Sequence, residues 1–500
     1  MTPEIILGPP GTGKTTTLLG IVDDELAAGV APNRIGYVSF TKRAAQEAID
    51  RACARFSLTR QQLRYFRTLH SMCFQELGMS NSDVLEGKKL MEFGDWLGVE
   101  FSEMRMSDDG TLTGFTPGDR ALFLENLARV RCVPLRQQYN EMNADGVPWQ
   151  LVERVSRGLA DYKANQHLKD YTDMLQDFAA TEYSPDLEVL LVDEAQDLSL
   201  LQWRVVEKLA RSVRRVVLAG DDDQSIYRWA GAAVDHFIDM RGGVRVLGQS
   251  WRCPPQVQAL SSEIIGRVRH RRPKEWMPRD AEGLITRVKN FAQVDLSGPD
   301  NLILGRNAFV LRDVMPGIRA DGIIFDYKGH SSVSQLLLQA VRTWEALRAG
   351  QSVTADEVRR VYEYMTSGVG VKRGYKALPG IPPGQMVDLQ WLTLQGGLMR
   401  EDIWHEALDR VAPLERTYLL RARQKGETTT GRPRVRLSTI HGAKGGEAEH
   451  VVLMRDMATR TYNEMRESPE DEARVWYVAV TRAKTRLTIV APQSHLGYDL

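Results

Sequence analysis

A chain of 500 residues exceeds one ordinary domain, and its length points to about three or four modules. With 43% hydrophobic and 26% charged residues it reads as soluble globular protein, and no stretch approaches the apolar length of a membrane span. Lys and Arg (65) balance Asp and Glu (65), which excludes a globally basic, histone-like binder while leaving room for a locally positive groove.

The start, Met1-Thr2-Pro3-Glu4, lacks a basic n-region, so the expectation is a cytoplasmic protein, nucleoid-associated or in a host cytoplasm if phage-encoded, with no membrane partner. Cys53, Cys73, Cys132 and Cys253 form no CxxC pair, so neither a structural metal cluster nor a redox motif is expected.

In chain order, short apolar runs alternate with helical patterns. The strand candidates are Ile5–Leu7, Ile35–Phe40, Val189–Val192, Val216–Ala219 and Val244–Leu247, then Leu302–Leu304, Ile323–Tyr327, Val435–Ser438, Val451–Met454 and Leu487–Val490. Continuous Val/Ile/Leu runs suit strands buried on both faces, and their alternation with helices predicts an α/β fold with parallel sheets flanked by helices. Two long stretches interrupt the rhythm. Residues from about 79 to 182 read as mostly helical, with breaks at Asp108-Asp109-Gly110 and Pro117-Gly118. Residues from about 336 to 428 begin helical, over Ser334–Leu347 and Ala355–Met365, then cross a Gly/Pro-rich patch, Gly368–Gly384. Two basic clusters, Arg267, Arg269, Arg271, Arg272 and Lys274, and Arg416, Arg421, Arg423, Lys425, Arg432, Arg434 and Arg436, are read with equal weight as phosphate-tracking surfaces or as solvated faces.

The strongest local signal is Gly8-Pro9-Pro10-Gly11-Thr12-Gly13-Lys14-Thr15, followed by Thr16, between an apolar strand and a helical run. Its glycines let backbone N–H groups close around phosphate oxygens, and the next helix offers its positive end. Lys14 is placed to bind the β/γ-phosphates and Thr15 to hold Mg²⁺. A second half-site is Asp193-Glu194-Ala195-Gln196-Asp197, which follows the run Val189–Val192 at the carboxyl end of a strand, where α/β sheets bind ligands. Asp193 suits a Mg²⁺ shell and Glu194 suits polarising an attacking water. Helix capping would account for either aspartate singly but not for acids directly after a strand in a chain with a phosphate loop.

Asp193–Asp197 resembles the DExQD box of superfamily 1 helicases, and Gly220-Asp221-Asp222-Asp223-Gln224-Ser225-Ile226-Tyr227-Arg228-Trp229-Ala230-Gly231-Ala232 resembles motif III of the UvrD/Rep/PcrA group. Ser39–Ala45 resembles motif Ia, Thr68-Leu69-His70 the TxH element, and Asp170–Leu175 the DFxDLL stretch. Gln249–Cys253 resembles motif IV, Leu304–Asn307 the strand end that opens the second motor core, Ser438–Glu447 motif V and Trp476–Lys484 motif VI. The resemblance runs from Gly8 to about Leu487 and is weak in both insertions.

It implies two RecA-like motor domains, each with a helical insertion. The first is residues 1–78 and 183–247, interrupted by 79–182. The second is 248–335 and 429–500, interrupted by 336–428. It implies an ATP-dependent DNA helicase moving 3′→5′ on single-stranded DNA, acting at single-strand/duplex junctions and working with replication or repair proteins. By the same resemblance Gln224 senses the γ-phosphate, Arg252 and Arg482 are arginine fingers donated by the second core, Trp251 stacks on adenine, and Glu447 lies near the nucleotide. Phe40 and Trp229 become stacking platforms for bases, with Thr41, Lys42, Thr68, His70, Thr439 and His441 touching the strand. Alternatives are a translocase that displaces bound proteins with little unwinding, and a nucleotide-gated DNA-binding switch. Three departures stand out. The family's adenine-reading Gln upstream of the phosphate loop has no counterpart, which predicts weakened discrimination among nucleoside triphosphates. The usual Arg after the motif III Trp is Ala230, with Arg228 before the Trp. The second insertion is short for the family.

Overall fold

A computed structural model describes residues 2–102, 116–142 and 146–500, the side chain of Arg43 apart. The chain divides into two compact units, one of residues 1–287 and 439–500, the other of residues 288–438. Among the described residues no helix is long and apolar enough to cross a membrane.

The first unit is built on a six-stranded sheet. Its strands are β1 (Glu4–Leu7), β2 (Ile35–Ser39), β3 (Phe66–Thr68), β4 (Val189–Asp193), β5 (Arg215–Gly220) and β6 (Gly243–Val246), in the order β3-β2-β4-β5-β1-β6. Neighbouring strands pair in parallel, with Leu7 abreast of Gly220 and Ser39 abreast of both Asp193 and Thr68. A parallel sheet brings the carboxyl ends of all its strands to one edge, so the segments after β1, β2, β3, β4 and β5 emerge side by side.

The two-residue period of a strand sorts side chains between two cores. Ile5, Leu7, Val38, Leu190, Val192 and Leu218 join one. Ile6, Ile35, Tyr37, Val189, Leu191 and Val217 join the other, where they meet Leu18, Leu19 and Val22 of the helix Lys14–Ala27. β6 departs from the expectation of two covered faces. It is an edge strand exposed along its length, with Val244 51% exposed.

Between β3 and β4 lie the helices Lys88–Leu97, Pro117–Val130, Leu135–Met142, Trp149–Gln166 and Tyr171–Ala180. The middle helices have a small core of their own around Phe93, Phe101, Leu124, Val155 and Leu159. Pro117-Gly118, read above as a break, is instead the first turn of a helix. Thr116 caps it by accepting from Asp119 N–H, and a proline at the first helical position loses no hydrogen bond. The break expected at Asp108-Asp109-Gly110 lies outside the described residues.

The chain continues through β7 (Leu284–Val288), at whose end the second unit begins, to β8 (Asn301–Gly305). There β9 (Phe325–Tyr327) and β10 (His330–Ser331) form a hairpin, and the small β11 (Val353–Thr354) and β12 (Met386–Val387) pair antiparallel. β13 (Val435–Thr439) runs parallel to β9, giving the order β10-β9-β13-β8. A core centred on Trp344, Val358, Tyr362 and Trp404 gathers the helices Gln335–Arg348, Ala355–Glu363 and Pro413–Gln424. Back in the first unit, β14 (Ala448–Met454) and β15 (Ala483–Val490) form a parallel pair with β7 beside β15, covered by the helix Pro469–Val480.

Most of the basic side chains in the two clusters, read above as either phosphate-tracking or solvated, have partners within the fold. Lys274, 1% exposed, sits among Asp221 (3.2 Å), Asp222 and Asp223 (3.1 Å), and Arg271 pairs with Asp223. Arg272 donates to the carbonyls of Phe237 and Met240, and Arg267 to Tyr498. In the second unit Arg434 pairs with Glu427 and Arg436 with Asp300, while Arg416 and Arg421 donate to backbone carbonyls.

Candidate nucleotide and strand-binding site

The phosphate loop leaves β1 at Leu7 and is pinned where it starts, Gly8 N–H donating to Gly220 O at 3.0 Å. Thr12 Oγ1 donates to Pro9 O at 2.8 Å, which closes the turn. Gly11 and Gly13 hold φ of +72° and +81°, the left-handed region that L side chains avoid. At Gly11 a Cβ would also lie 2.3 Å from Arg252 Cβ, so the loop and the Ser250–Arg252 segment touch backbone to backbone. Trp251 N–H donates to Gly11 O at 2.8 Å and Ser250 Oγ to Pro10 O at 2.7 Å. Trp251 itself is 72% exposed, an indole held beside the loop with its face free. Pro9 and Pro10 are buried and Thr16 is exposed.

Lys14 Nζ donates to Gly8 O at 3.0 Å and lies 3.9 Å from Glu194 Oε1. Thr15 Oγ1 donates to Asp193 Oδ2 at 3.3 Å. Two oxygen donors facing each other at the strand end, one an ionisable carboxylate, suit a small hard cation. Burial, with Glu194 next, raises the Asp193 carboxyl above its usual range. Burial would raise Glu194 too, but Lys14 and then Lys444 outweigh it and hold Glu194 below the ordinary carboxylate range. Glu194 is therefore ionised at neutral pH, and its backbone holds φ +55°.

Gln196 Nε2 donates to Glu194 Oε2 at 2.6 Å and its Oε1 accepts from Asp221 N–H at 3.0 Å, tying the segment after β4 to the one after β5. Gln224 Nε2 donates to Asp221 Oδ2 at 2.6 Å, and its Oε1 accepts from Arg482 Nη2 at 2.9 Å. Arg482 is 1% exposed and also donates to Val478 O and Gly446 O. Burial, with Arg252 next, pulls its guanidinium down to about 9, so it remains a cation at neutral pH. Arg252 Nε donates to Glu447 Oε2 at 2.7 Å, and Glu447 also holds Lys484 at 2.7 Å. Against the cost of its burial, Arg252 and Lys484 hold Glu447 down at about 2. The structure thus gathers Lys14, Thr15, Asp193, Glu194, Gln224, Arg252, Glu447 and Arg482 within one unit.

Beside this group lies an aromatic cluster. Phe40, half-buried, stands 5.5 Å from Tyr227, which stands 6.4 Å from the half-buried Trp229 and 6.0 Å from His441. Buried His441 shares a 3.2 Å contact with Ile226 O through Nε2, and Tyr227 OH donates to His441 O. Phe40, His70, Tyr171 and Tyr227 line a cavity of ≈ 470 Å³ that reaches the helical insertion. Burial, with Lys42 next, lowers His70 to about 4, so it stays neutral. Thr41 and Lys42 are exposed at the head of the next helix, whose first turn Thr41 caps. Thr68 and Thr439 are buried, and their hydroxyls accept from Ser71 and Gly442 N–H groups. Arg228 is spent on Asp235 and Asp471.

Lys444, Asp197, Tyr227 and Tyr171, missed as binding or coupling groups, lie at or between the two clusters. Lys444 Nζ pairs with buried Asp197, donates to Gln224 O at 2.6 Å and lies 5.0 Å over the Tyr227 ring. Burial, against the opposing field of Lys444, pushes Asp197 up to about 6. Tyr171 adds a ring to the cavity. Their only sequence signal was membership of a motif.

Residues 1–243 match the UvrD/REP helicase N-terminal domain and residues 405–494 the UvrD-like helicase C-terminal domain. Similar curated proteins include the ATP-dependent DNA helicase PcrA of Bacillus subtilis (24% identical over 303 residues, 56% of this chain and 40% of the relative). DNA helicase II of Rickettsia typhi is 23% identical over 305 residues, 56% of this chain and 45% of the relative. PcrA of Staphylococcus epidermidis is 23% identical over 291 residues, 54% and 39%. The chain spans less than half the length of these relatives. With a phosphate loop, an acidic strand end and an arginine-held glutamine gathered beside an aromatic groove, and both domain families matched in order, the chain belongs to the UvrD/Rep/PcrA-type superfamily 1 helicases.

Proposed function

We propose that this chain is an ATP-driven motor on single-stranded DNA, hydrolysing ATP to move 3′→5′ and separate duplexes at single-strand/duplex junctions. The observation that carries the reading is the unbroken polar path from Glu194 through Gln196, Asp221 and Gln224 to Lys444, and from Lys444 to the Tyr227 ring. Such a path lets the state of the nucleotide bear on the grip of the strand.

In this reading Lys14 exchanges its Gly8 carbonyl for phosphate oxygens, and the exposed Trp251 ring covers the base. Thr15 and Asp193 would hold Mg²⁺, which when bound neutralises charge on the β- and γ-phosphates. Ionised Glu194 orients and deprotonates the attacking water. Gln224, steered by Arg482, faces the γ-phosphate, and Arg252 and Arg482 supply positive charge as the phosphoryl group transfers. Phe40, Tyr227 and Trp229 stack bases, a contact indifferent to sequence. Thr41, Lys42, Thr68, His70, Thr439 and His441 border that groove.

Phosphate release measured with and without single-stranded DNA, followed by unwinding of duplexes bearing a 3′ or a 5′ tail, tests the proposal. DNA-stimulated release with separation of 3′-tailed duplexes supports it. Stimulated release without separation favours a protein-displacing translocase, and no turnover leaves a nucleotide-gated switch.

A further inference from the structure

Tyr37 is a tyrosine where the fold asks only for an apolar side chain. It lies on β2, is 0% exposed, and stacks on Phe66 with ring centroids 5.2 Å apart and planes 17° from parallel. A phenol buried in that setting costs free energy unless its hydroxyl is satisfied. Tyr37 OH donates to Asp193 Oδ2 at 2.8 Å.

Strand periodicity explains the encounter. Tyr37 is abreast of Leu191, and both Tyr37 and Asp193 project to the face that carries the helix Lys14–Ala27. Diagonal neighbours on adjacent strands are within reach of an aromatic side chain. Asp193 consequently has three donors: Tyr37 and Thr15 on Oδ2, and the Glu194 N–H on Oδ1 at 3.0 Å. Thr15 belongs to the end of the phosphate loop and Glu194 N–H to a turn. Tyr37 is the donor fixed in a strand and clamped by a stacked ring.

We propose that Tyr37 is a positioning residue that sets the orientation of the Asp193 carboxylate for Mg²⁺ before nucleotide arrives. The inference rests on the nucleotide-site reading above and adds a residue from outside its motifs. A hydrogen-bonding partner behind a metal-binding carboxylate restricts its rotamers and directs its free lone pairs. The ring supplies packing and the hydroxyl supplies orientation, so the two roles separate by substitution.

The test is Mn²⁺ binding, followed by electron paramagnetic resonance, to the full chain with ADP, alongside ADP affinity in excess chelator. For Tyr37→Phe the expected result is Mn²⁺ affinity weakened about tenfold, with chelator-condition ADP affinity unchanged. Phe66→Leu, which loosens the stack but leaves the hydroxyl, should lower the thermal midpoint and leave Mn²⁺ affinity within about twofold of the parent. Parent-like Mn²⁺ affinity in Tyr37→Phe, or an equal loss in Phe66→Leu, overturns the assignment. A parent protein that binds ADP but takes up no Mn²⁺ beside it would instead overturn the reading of Thr15 and Asp193 as the metal-facing pair.

Discussion

Replacing Lys444 with Met keeps the length of the side chain and removes its charge. The ammonium is nearly buried, paired with Asp197 at 2% exposure, and donates to Gln224 O. Stranding a buried carboxylate costs about 3–5 kcal/mol when the charge must stay. Here it need not stay, because Asp197 already sits at about 6 with Lys444 present. Without the lysine its pKa climbs further and it takes up a proton at pH 7. The loss is then the stabilisation of the ionised over the protonated form, about 1.4 kcal/mol at one pH unit above the pKa. Leaving the Gln224 carbonyl unpaired adds about 1–3 kcal/mol.

The sign of the pH dependence follows from the raised pKa. The folded parent holds the Asp197 proton more tightly than the unfolded chain does. Its stability falls as pH rises from the ordinary aspartate value to about 6, then levels off. In the variant the fall continues past pH 6 at up to about 1.4 kcal/mol per pH unit until its own raised pKa is reached, so the penalty should grow between pH 6 and pH 8. Urea unfolding of parent and variant at pH 6, 7 and 8, followed by tryptophan fluorescence, reads this difference. A penalty that is flat across that range would refute the argument.

Glu194→Gln keeps the Gln196 neighbour and removes the ionised oxygen. Phosphate release with saturating single-stranded DNA should fall about 10²–10⁴-fold while nucleotide affinity holds, and a loss under tenfold would speak against Glu194 as the base. Trp229→Ala should weaken single-strand binding by about 1–3 kcal/mol in a fluorescence-anisotropy titration and leave DNA-free ATP turnover near the parent's. An unchanged anisotropy curve would remove the indole from the strand path. Gly11→Ala combines a left-handed backbone with a Cβ 2.3 Å from Arg252 Cβ, so nucleotide binding by calorimetry should be lost while the thermal midpoint falls only a few degrees. Parent-like affinity would mean that the loop and the Ser250–Arg252 segment part readily.

What was legible in the sequence followed from burial. Each of the ten apolar runs overlaps a strand, most of them because a parallel strand between helices is apolar on both faces, whereas the run at β6 lies on an exposed edge. β3, with three residues, and β10, β11 and β12, with two each, are too short to carry a pattern, and β7 mixes Thr and Arg with its apolar residues. Motif order pointed to Lys14, Asp193, Glu194, Gln224 and Arg482; the first four gather because parallel strands share a carboxyl edge, and Arg482 joins them from the end of the helix Pro469–Val480. Pairings across long separations were not legible. Lys444 meets Asp197 from 247 positions away, and nothing local to either announces the other. Tyr37 was hidden for the opposite reason, since inside an apolar run a tyrosine reads as packing. The basic clusters stayed open between two readings because a run of charge says nothing about which carboxylates lie opposite: Lys274 is enclosed by three aspartates some fifty residues earlier.

Glu194 sits in the left-handed region of backbone space at φ +55°, a conformation that costs an L-residue about 1–2 kcal/mol and glycine almost nothing. Backbone strain at this position therefore favours Gly or Asn, opposed by the need for a carboxylate and by its contacts with Lys14 and Gln196. Copies of this gene released from selection for turnover should lose the glutamate early. A stability-only screen of random variants would weigh that strain against the lost contacts while blind to the hydrolysis proposed for this residue.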